Sequence, residues 1–178
     1  MKKLALTDFT KYRYPSALEL SPDGRYLTFA LKEVDREGDG YRWNLWLYDL
    51  ERRESRQITQ GDDQRQAVWE DNTHILYKTT ELDEAMRARG FEEEWTVYHR
   101  LNVCTGEECE AFRLPMSVSG LWKMDEGRYV FTGETHLDRP NLLELTGEAL
   151  EKELVRRQQT KGYKVLTELP LCENGVGM

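Results

Sequence analysis

The chain has 178 residues, and 33 Asp and Glu against 25 Lys and Arg give a formal net charge of -8. That balance argues against nucleic acid and anionic lipid as partners, because both need clustered cations. The length suits one domain with a sizeable core, and five Trp with nine Tyr suit a strand-rich fold.

Residues 1–15 form a lead-in ending at Tyr14-Pro15, and residues 17–20 read as a first strand. Ser21-Pro22-Asp23-Gly24 predicts a tight turn, since Pro22 presets φ and Gly24 accepts a positive φ. Tyr26, Phe29 and Leu31 mark a second strand, and the polar stretch 33–40 a surface loop. The nearly continuous apolar run 43–50 predicts a third strand covered on both faces. After a turn at 51–54, residues 56–58 make a short outer strand.

The pattern then returns as strands at 67–69, 75–77, 95–103 and 110–114. Between the second and third of these, 82–89 predicts a short helix. Leu82, Ala85, Met86 and Arg89 share a face, Asp83 and Arg87 stand four apart, and Gly90 closes it. A third return gives strands at 121–124, 128–132 and 142–145, then a helix with Thr146 as N-cap. That helix carries an apolar stripe of Ala149, Leu150 and Leu154, a Glu153–Arg157 pair, and Gly162 at its end. Residues 163–166 predict a last strand, and Asn174-Gly175 a turn.

The repeat is visible in the residues themselves. Ser21-Pro22-Asp23-Gly24-Arg25-Tyr26 is answered by Glu70-Asp71-Asn72-Thr73-His74 and by Asp125-Glu126-Gly127-Arg128-Tyr129. Asn44-Leu45-Trp46-Leu47-Tyr48-Asp49 is answered by Val97-Tyr98-His99-Arg100-Leu101-Asn102 and by Asn141-Leu142-Leu143-Glu144-Leu145. A period of roughly fifty residues with all-strand content is the mark of propeller blades. The sequence therefore predicts an all-β fold: an incomplete β-propeller of about three four-stranded blades with two short helical insertions. Its units fall near 15–60, 64–115 and 118–178. Closed propellers take about four to eight blades, so a three-blade arc exposes sheet faces and edges. Self-association through those open blade edges is the expected consequence.

The Ser21-to-Tyr26 turn followed by Asn44-to-Asp49 resembles the propeller of prolyl oligopeptidase-family serine peptidases. The acylaminoacyl-peptidase and dipeptidyl-aminopeptidase-like branch is the most similar. Glu94-Trp95-Thr96-Val97-Tyr98 resembles that branch's lead into a third strand. Tyr163-Lys164-Val165-Leu166-Thr167-Glu168-Leu169-Pro170 with Asn174-Gly175 resembles a further segment of it. The resemblance implies a non-catalytic N-terminal propeller that gates the access of short peptides to an α/β-hydrolase domain. A peptide substrate is then a partner only in a full-length parent. The hydrolase signature is absent, because none of Ser16, Ser21, Ser55, Ser117 and Ser119 lies in Gly-x-Ser-x-Gly. No catalytic residue is carried over, and this chain alone is expected to be inactive. The alternative is a stand-alone propeller-type interaction module.

Other constellations suggest no cofactor and no metal. Cys104 and Cys109 flank a turn with His99 nearby in sequence, and Cys172 is remote, so the set falls short of the four ligands of a structural zinc site. Lys2 and Lys3 precede an apolar stretch of only Leu4 to Leu6, which predicts no signal peptide. No run approaches the roughly eighteen apolar residues of a membrane span. A cytoplasmic address with reduced thiols is expected. Glu92, Glu93 and Glu94 read as a solvated acidic run, although in dipeptidyl-peptidase relatives a glutamate pair grips the substrate amino terminus. His74, His99 and His136 share no motif, and Trp43, Trp46, Trp69, Trp95 and Trp122 are expected to pack between blades.

Overall fold

The computed structural model describes residues 5, 8–35, 38–61, 63–125, 127–135 and 139–160, together with the backbone of 172–173 and 176–177. The chain divides into two compact units, Met1–His136 and Leu137–Met178.

The first unit opens with a four-stranded antiparallel sheet in sequence order, β1 (Tyr14–Leu20), β2 (Tyr26–Asp35), β3 (Gly40–Asp49) and β4 (Glu54–Gln57). The β1–β2 turn is built as its residues demand. Ser21 Oγ donates to Asp23 Oδ1 at 2.6 Å and accepts from the Tyr26 amide at 2.9 Å. Gly24 takes φ 71° and its N–H reaches Ser21 O at 2.8 Å. Of the expected loop over 33–40, residues 33–35 and 40 are strand, because β2 and β3 stay paired out to Asp35 opposite Gly40. Cross-strand contacts hold this polar end together. The Lys32 ammonium lies 3.7 Å from the Tyr41 ring centroid, and Glu33 Oε1 lies 2.6 Å from Arg13 Nε.

A second sheet repeats the order with β5 (Ala67–Trp69), β6 (His74–Leu82), β7 (Glu94–Asn102) and β8 (Glu108–Leu114). The expected helix stands between β6 and β7 as the shorter α1 (Glu84–Ala88). Asp83 caps it by accepting from Met86 N at 2.9 Å, and also holds Trp95 Nε1 at 2.9 Å. Its carboxylate is thus committed to the cap and the indole. Leu82 remains on β6, so only Met86 of the anticipated apolar face is buried.

The third repeat begins with β9 (Ser117–Asp125) and β10 (Arg128–Glu134), which form a two-stranded antiparallel ladder. The anticipated third strand at 142–145 is not one. Residues Leu142–Glu144 form a 3-10 turn, since Asn141 Oδ1 accepts from Leu143 N at 3.0 Å and stops the chain extending. In this second unit α2 (Gly147–Gln159) follows, with Thr146 in the N-cap position but without a side-chain capping bond. The expected strand at 163–166 and turn at Asn174-Gly175 lie outside the described residues, as does Gly162. A short ladder pairs β11 (Cys172–Glu173) with β12 (Val176–Gly177).

The central sheet carries two cores. Ile75 and Tyr77 pack with Tyr26, Ala30, Leu45 and Leu47 of the first sheet, whereas Leu76 points the other way, to Tyr98, Val118 and Leu121. The consecutive apolar triplet Ile75-Leu76-Tyr77 is what a strand covered on both faces requires. The short inner strands run beside one another, β1 against β5 and β5 against β9. Among the described residues no helix is long and apolar enough to cross a membrane.

Within α2, Glu153 is buried and accepts from Arg156 Nε at 2.7 Å and Arg157 Nε at 3.1 Å. The Arg156 bond, aided by Arg157 and opposed by burial, pulls its carboxyl from 4.5 to about 2. A depressed carboxyl stabilises the fold above its unfolded pKa and ceases to as pH falls through the folded one. Helicity of α2 is therefore expected to drop between pH 4.5 and about 2. The wild-type-minus-Glu153→Gln difference in far-UV circular dichroism should shrink over the same window. A difference that does not vary with pH would contradict the assignment.

Candidate functional site

The polar residues singled out in the sequence fall into separate places. Ser21 is spent on its turn, and Ser119 Oγ lies 2.8 Å from Thr132 Oγ1 across the β9–β10 ladder. His74 Nδ1 stands 2.9 Å from Asp71 Oδ2, and its Nε2 3.1 Å from Asn102 Nδ2. Burial raises the Asp71 pKa, but bonds from Thr73 and His74 outweigh it and bring the carboxyl down to about 2. This cluster ties the β5–β6 turn to the end of β7. His136 lies outside the described residues.

His99 has the more suggestive surroundings. Its Nε2 is 2.9 Å from Thr79 Oγ1 and its Nδ1 3.4 Å from Glu108 Oε1, which gives a hydroxyl, an imidazole and a carboxylate in a row. Tyr77 stacks on the ring with centroids 5.3 Å apart. Thr79 lies in the middle of a regular ladder opposite Val97, so neighbouring amides are engaged in strand pairing. Acyl transfer needs amides aimed at a developing oxyanion, and this arrangement supplies a cross-strand polar ladder instead.

Cys104 and Cys109 are both exposed free thiols. Cys109 pairs opposite Arg100 on β8, while Cys104 sits on the preceding turn with its Sγ 3.8 Å from Tyr26 Oη. Cys104 lines a cleft of about 280 Å³ with Arg25, Arg52, Arg56, Asp49 and Glu54. Its guanidiniums are already occupied, since Arg25 and Arg52 lie by Asp49, and Arg56 donates to Val103 O. Backbone bonding from Arg52, with the nearby guanidiniums and despite burial, holds the Asp49 carboxyl below the usual range. Glu92 and Glu94 are exposed at the α1–β7 junction, and Glu93 O accepts from Asp83 N at 2.8 Å.

The five tryptophans do not share one role. Trp69 is buried, stacks on Tyr26 with centroids 6.5 Å apart, and donates from Nε1 to Glu19 O at 3.2 Å. Trp43 and Trp95 are half-buried platforms under Arg65 and Arg113. Trp122 is 49% exposed on β9, which corrects the expectation of uniform packing between sheets. Bulges in β9 and the absence of a further sheet against it, among the described residues, leave that ring in solvent.

A further cleft runs along the inner strands. It has a volume of about 210 Å³, and its walls come from Leu20 of β1, Val68 and Trp69 of β5, and Leu121 and Trp122 of β9. Glu19, Gln66 and Lys123 supply its polar rim.

Sheets of four antiparallel strands in sequence order, stacked face to face with their first strands side by side, narrow the architectures to one. No family model and no curated protein matches the sequence. Among solved structures, the β-propeller domain of the trilobed protease from Pyrococcus furiosus aligns with a TM-score of 0.50 at 13% identity. The alignment covers 69% of this chain and 34% of that one. Acylaminoacyl peptidase from Pyrococcus horikoshii aligns with a TM-score of 0.53 at 15% identity, over 74% of this chain and 20% of its own. The fold is that of a β-propeller segment. At this identity the likeness is one of fold, and the segment spans about a third and a fifth of the two chains it matches.

Proposed function

We propose that this chain is the non-catalytic propeller portion of a prolyl oligopeptidase-type serine peptidase, in which it restricts the route of short peptides to a hydrolase domain. The observation that carries the reading is the side-by-side placement of β1, β5 and β9 with an apolar cleft along them. The Ser21-Pro22-Asp23-Gly24 turn and the Glu94-to-Tyr98 lead into β7 support it by their resemblance to that family. In this reading each four-stranded sheet is a blade, and β9–β10 belongs to a third.

Two measurements test this. Sequence of the locus downstream of the Met178 codon is expected to encode Gly-x-Ser-x-Gly in a hydrolase domain. A fluorophosphonate probe is expected to leave the 178-residue chain unlabelled. Labelling of this chain, or a locus without a hydrolase, would overturn the reading. A second reading, a free-standing interaction module, is favoured by the half-exposed apolar side chains Trp122, Val130 and Phe131 on the β9–β10 ladder.

A further inference from the structure

In the first two sheets the second strand is covered on its outer edge, β2 by β3 and β6 by β7. Among the described residues its counterpart β10 pairs with β9 alone, and its other edge presents unpaired backbone groups. The edge is long and regular. Both register shifts in this ladder skip a residue of β9, Ser119 and Met124, so β10 itself runs unbroken from Arg128 to Glu134. The strand itself has no Pro and no charge between its two ends. Val130 is 48% and Phe131 42% exposed.

We propose that this edge pairs antiparallel with the same strand of a second copy, across a two-fold axis at Phe131. The sequence Arg128-Tyr129-Val130-Phe131-Thr132-Gly133-Glu134 is self-complementary in that register. Arg128 meets the partner's Glu134 at both ends, Val130 meets the partner's Thr132, and Tyr129 meets the partner's Gly133. Opposite charges and β-branched residues directly across are the favourable cross-strand pairs, and a residue facing its own copy is the signature of an isologous contact. Arg128 also forks onto Asp125, with Nε 2.8 Å from Oδ1, and its side chain is 77% exposed, which leaves donors for a second carboxylate. Val130 lies opposite Trp122 within the ladder, so pairing extends an apolar face from one copy to the other.

The inference rests on the open edge and not on the peptidase reading, so a locus lacking a hydrolase would leave it standing. Sedimentation velocity on the 178-residue chain is expected to show a dimer. E134R sets Arg against Arg at both ends, and R128E sets Glu against Glu. Each is expected to weaken the dimer by about ten-fold or more. An equimolar mixture of the two variants restores two opposite-charge pairs and is expected to recover the dimer. Loss of folding in either variant could not produce that recovery. A monomeric wild-type chain, an oligomer indifferent to both substitutions, or a mixture no tighter than its components would each overturn the proposal.

Discussion

Ile75→Ala and Leu76→Ala are each expected to lower the unfolding free energy by about 2–5 kcal/mol, whereas Leu20→Ala costs less than about 1 kcal/mol. The difference follows from where the sheets lie. Ile75 and Leu76 are adjacent on β6 and have no solvent exposure, yet they serve different cores. Ile75 fills the space against Leu45 and Leu47, and Leu76 the space against Val118 and Leu121. Removing either leaves a cavity between two sheets that cannot both collapse onto it. Leu20 is as apolar but is 58% exposed on β1, so truncation removes little buried area. Urea denaturation of the three variants tests this directly. A Leu20→Ala penalty as large as the other two would mean that something covers the inner strand in solution. An Ile75→Ala penalty under about 1 kcal/mol would undo the two-core architecture.

What the sequence made legible, and what it hid, follows the range of the interactions. The Ser21-Pro22-Asp23-Gly24 turn was readable because every bond that shapes it joins residues at most five apart. The central triplet Ile75-Leu76-Tyr77 was readable as a strand because alternation of faces is a local property. Strand length at 33–40 was hidden, since Lys32 gains the Tyr41 ring and Asp35 its pairing with Gly40 only once β3 has folded back. The reading of 142–145 as a strand failed for a different reason. Its apolar pattern matches the earlier units, but Asn141 offers a side-chain acceptor to Leu143 N and captures the backbone first. The exposure of Trp122 depends on which sheet does or does not stand beside β9, and no local signal carries that. Of the polar clusters, the Thr79–His99–Glu108 row was invisible because Thr79 stands 20 residues from His99 and meets it only through the β6–β7 register.

Glu70→Ala is expected to loosen the β9–β10 ladder against the second sheet at a cost of about 1.5–3 kcal/mol, the range for hydrogen bonds to a charged group. Glu70 follows β5, and its side chain is 12% exposed. It accepts from Arg100 Nη2 at 2.8 Å and from Tyr129 Oη at 2.7 Å, while its backbone oxygen accepts from Lys123 Nζ. One carboxylate therefore joins β7 to β10, and the same residue's main chain is tied to β9. The Arg100 bond, helped by Tyr129 and opposed by burial, holds its carboxyl below the ordinary glutamate value of 4.5. Burial, then the bond to Glu70, pushes the Tyr129 hydroxyl up to about 12. The sign for stability is that of a depressed acid: the tie is intact above pH 4.5 and loosens as pH falls through the lowered value. Glu70→Gln should keep the shape, cost less than Glu70→Ala, and remove part of this acid sensitivity. Tyr129→Phe should couple to Glu70→Ala by about 0.5–3 kcal/mol in a double-mutant cycle, because the two groups share one bond. Zero coupling, with a Glu70→Ala loss within about 0.5 kcal/mol of wild type, would mean that the packing of Val118 and Leu121 on Leu76, with the Thr96 and Lys78 bonds to Val118, holds the ladder in place without Glu70.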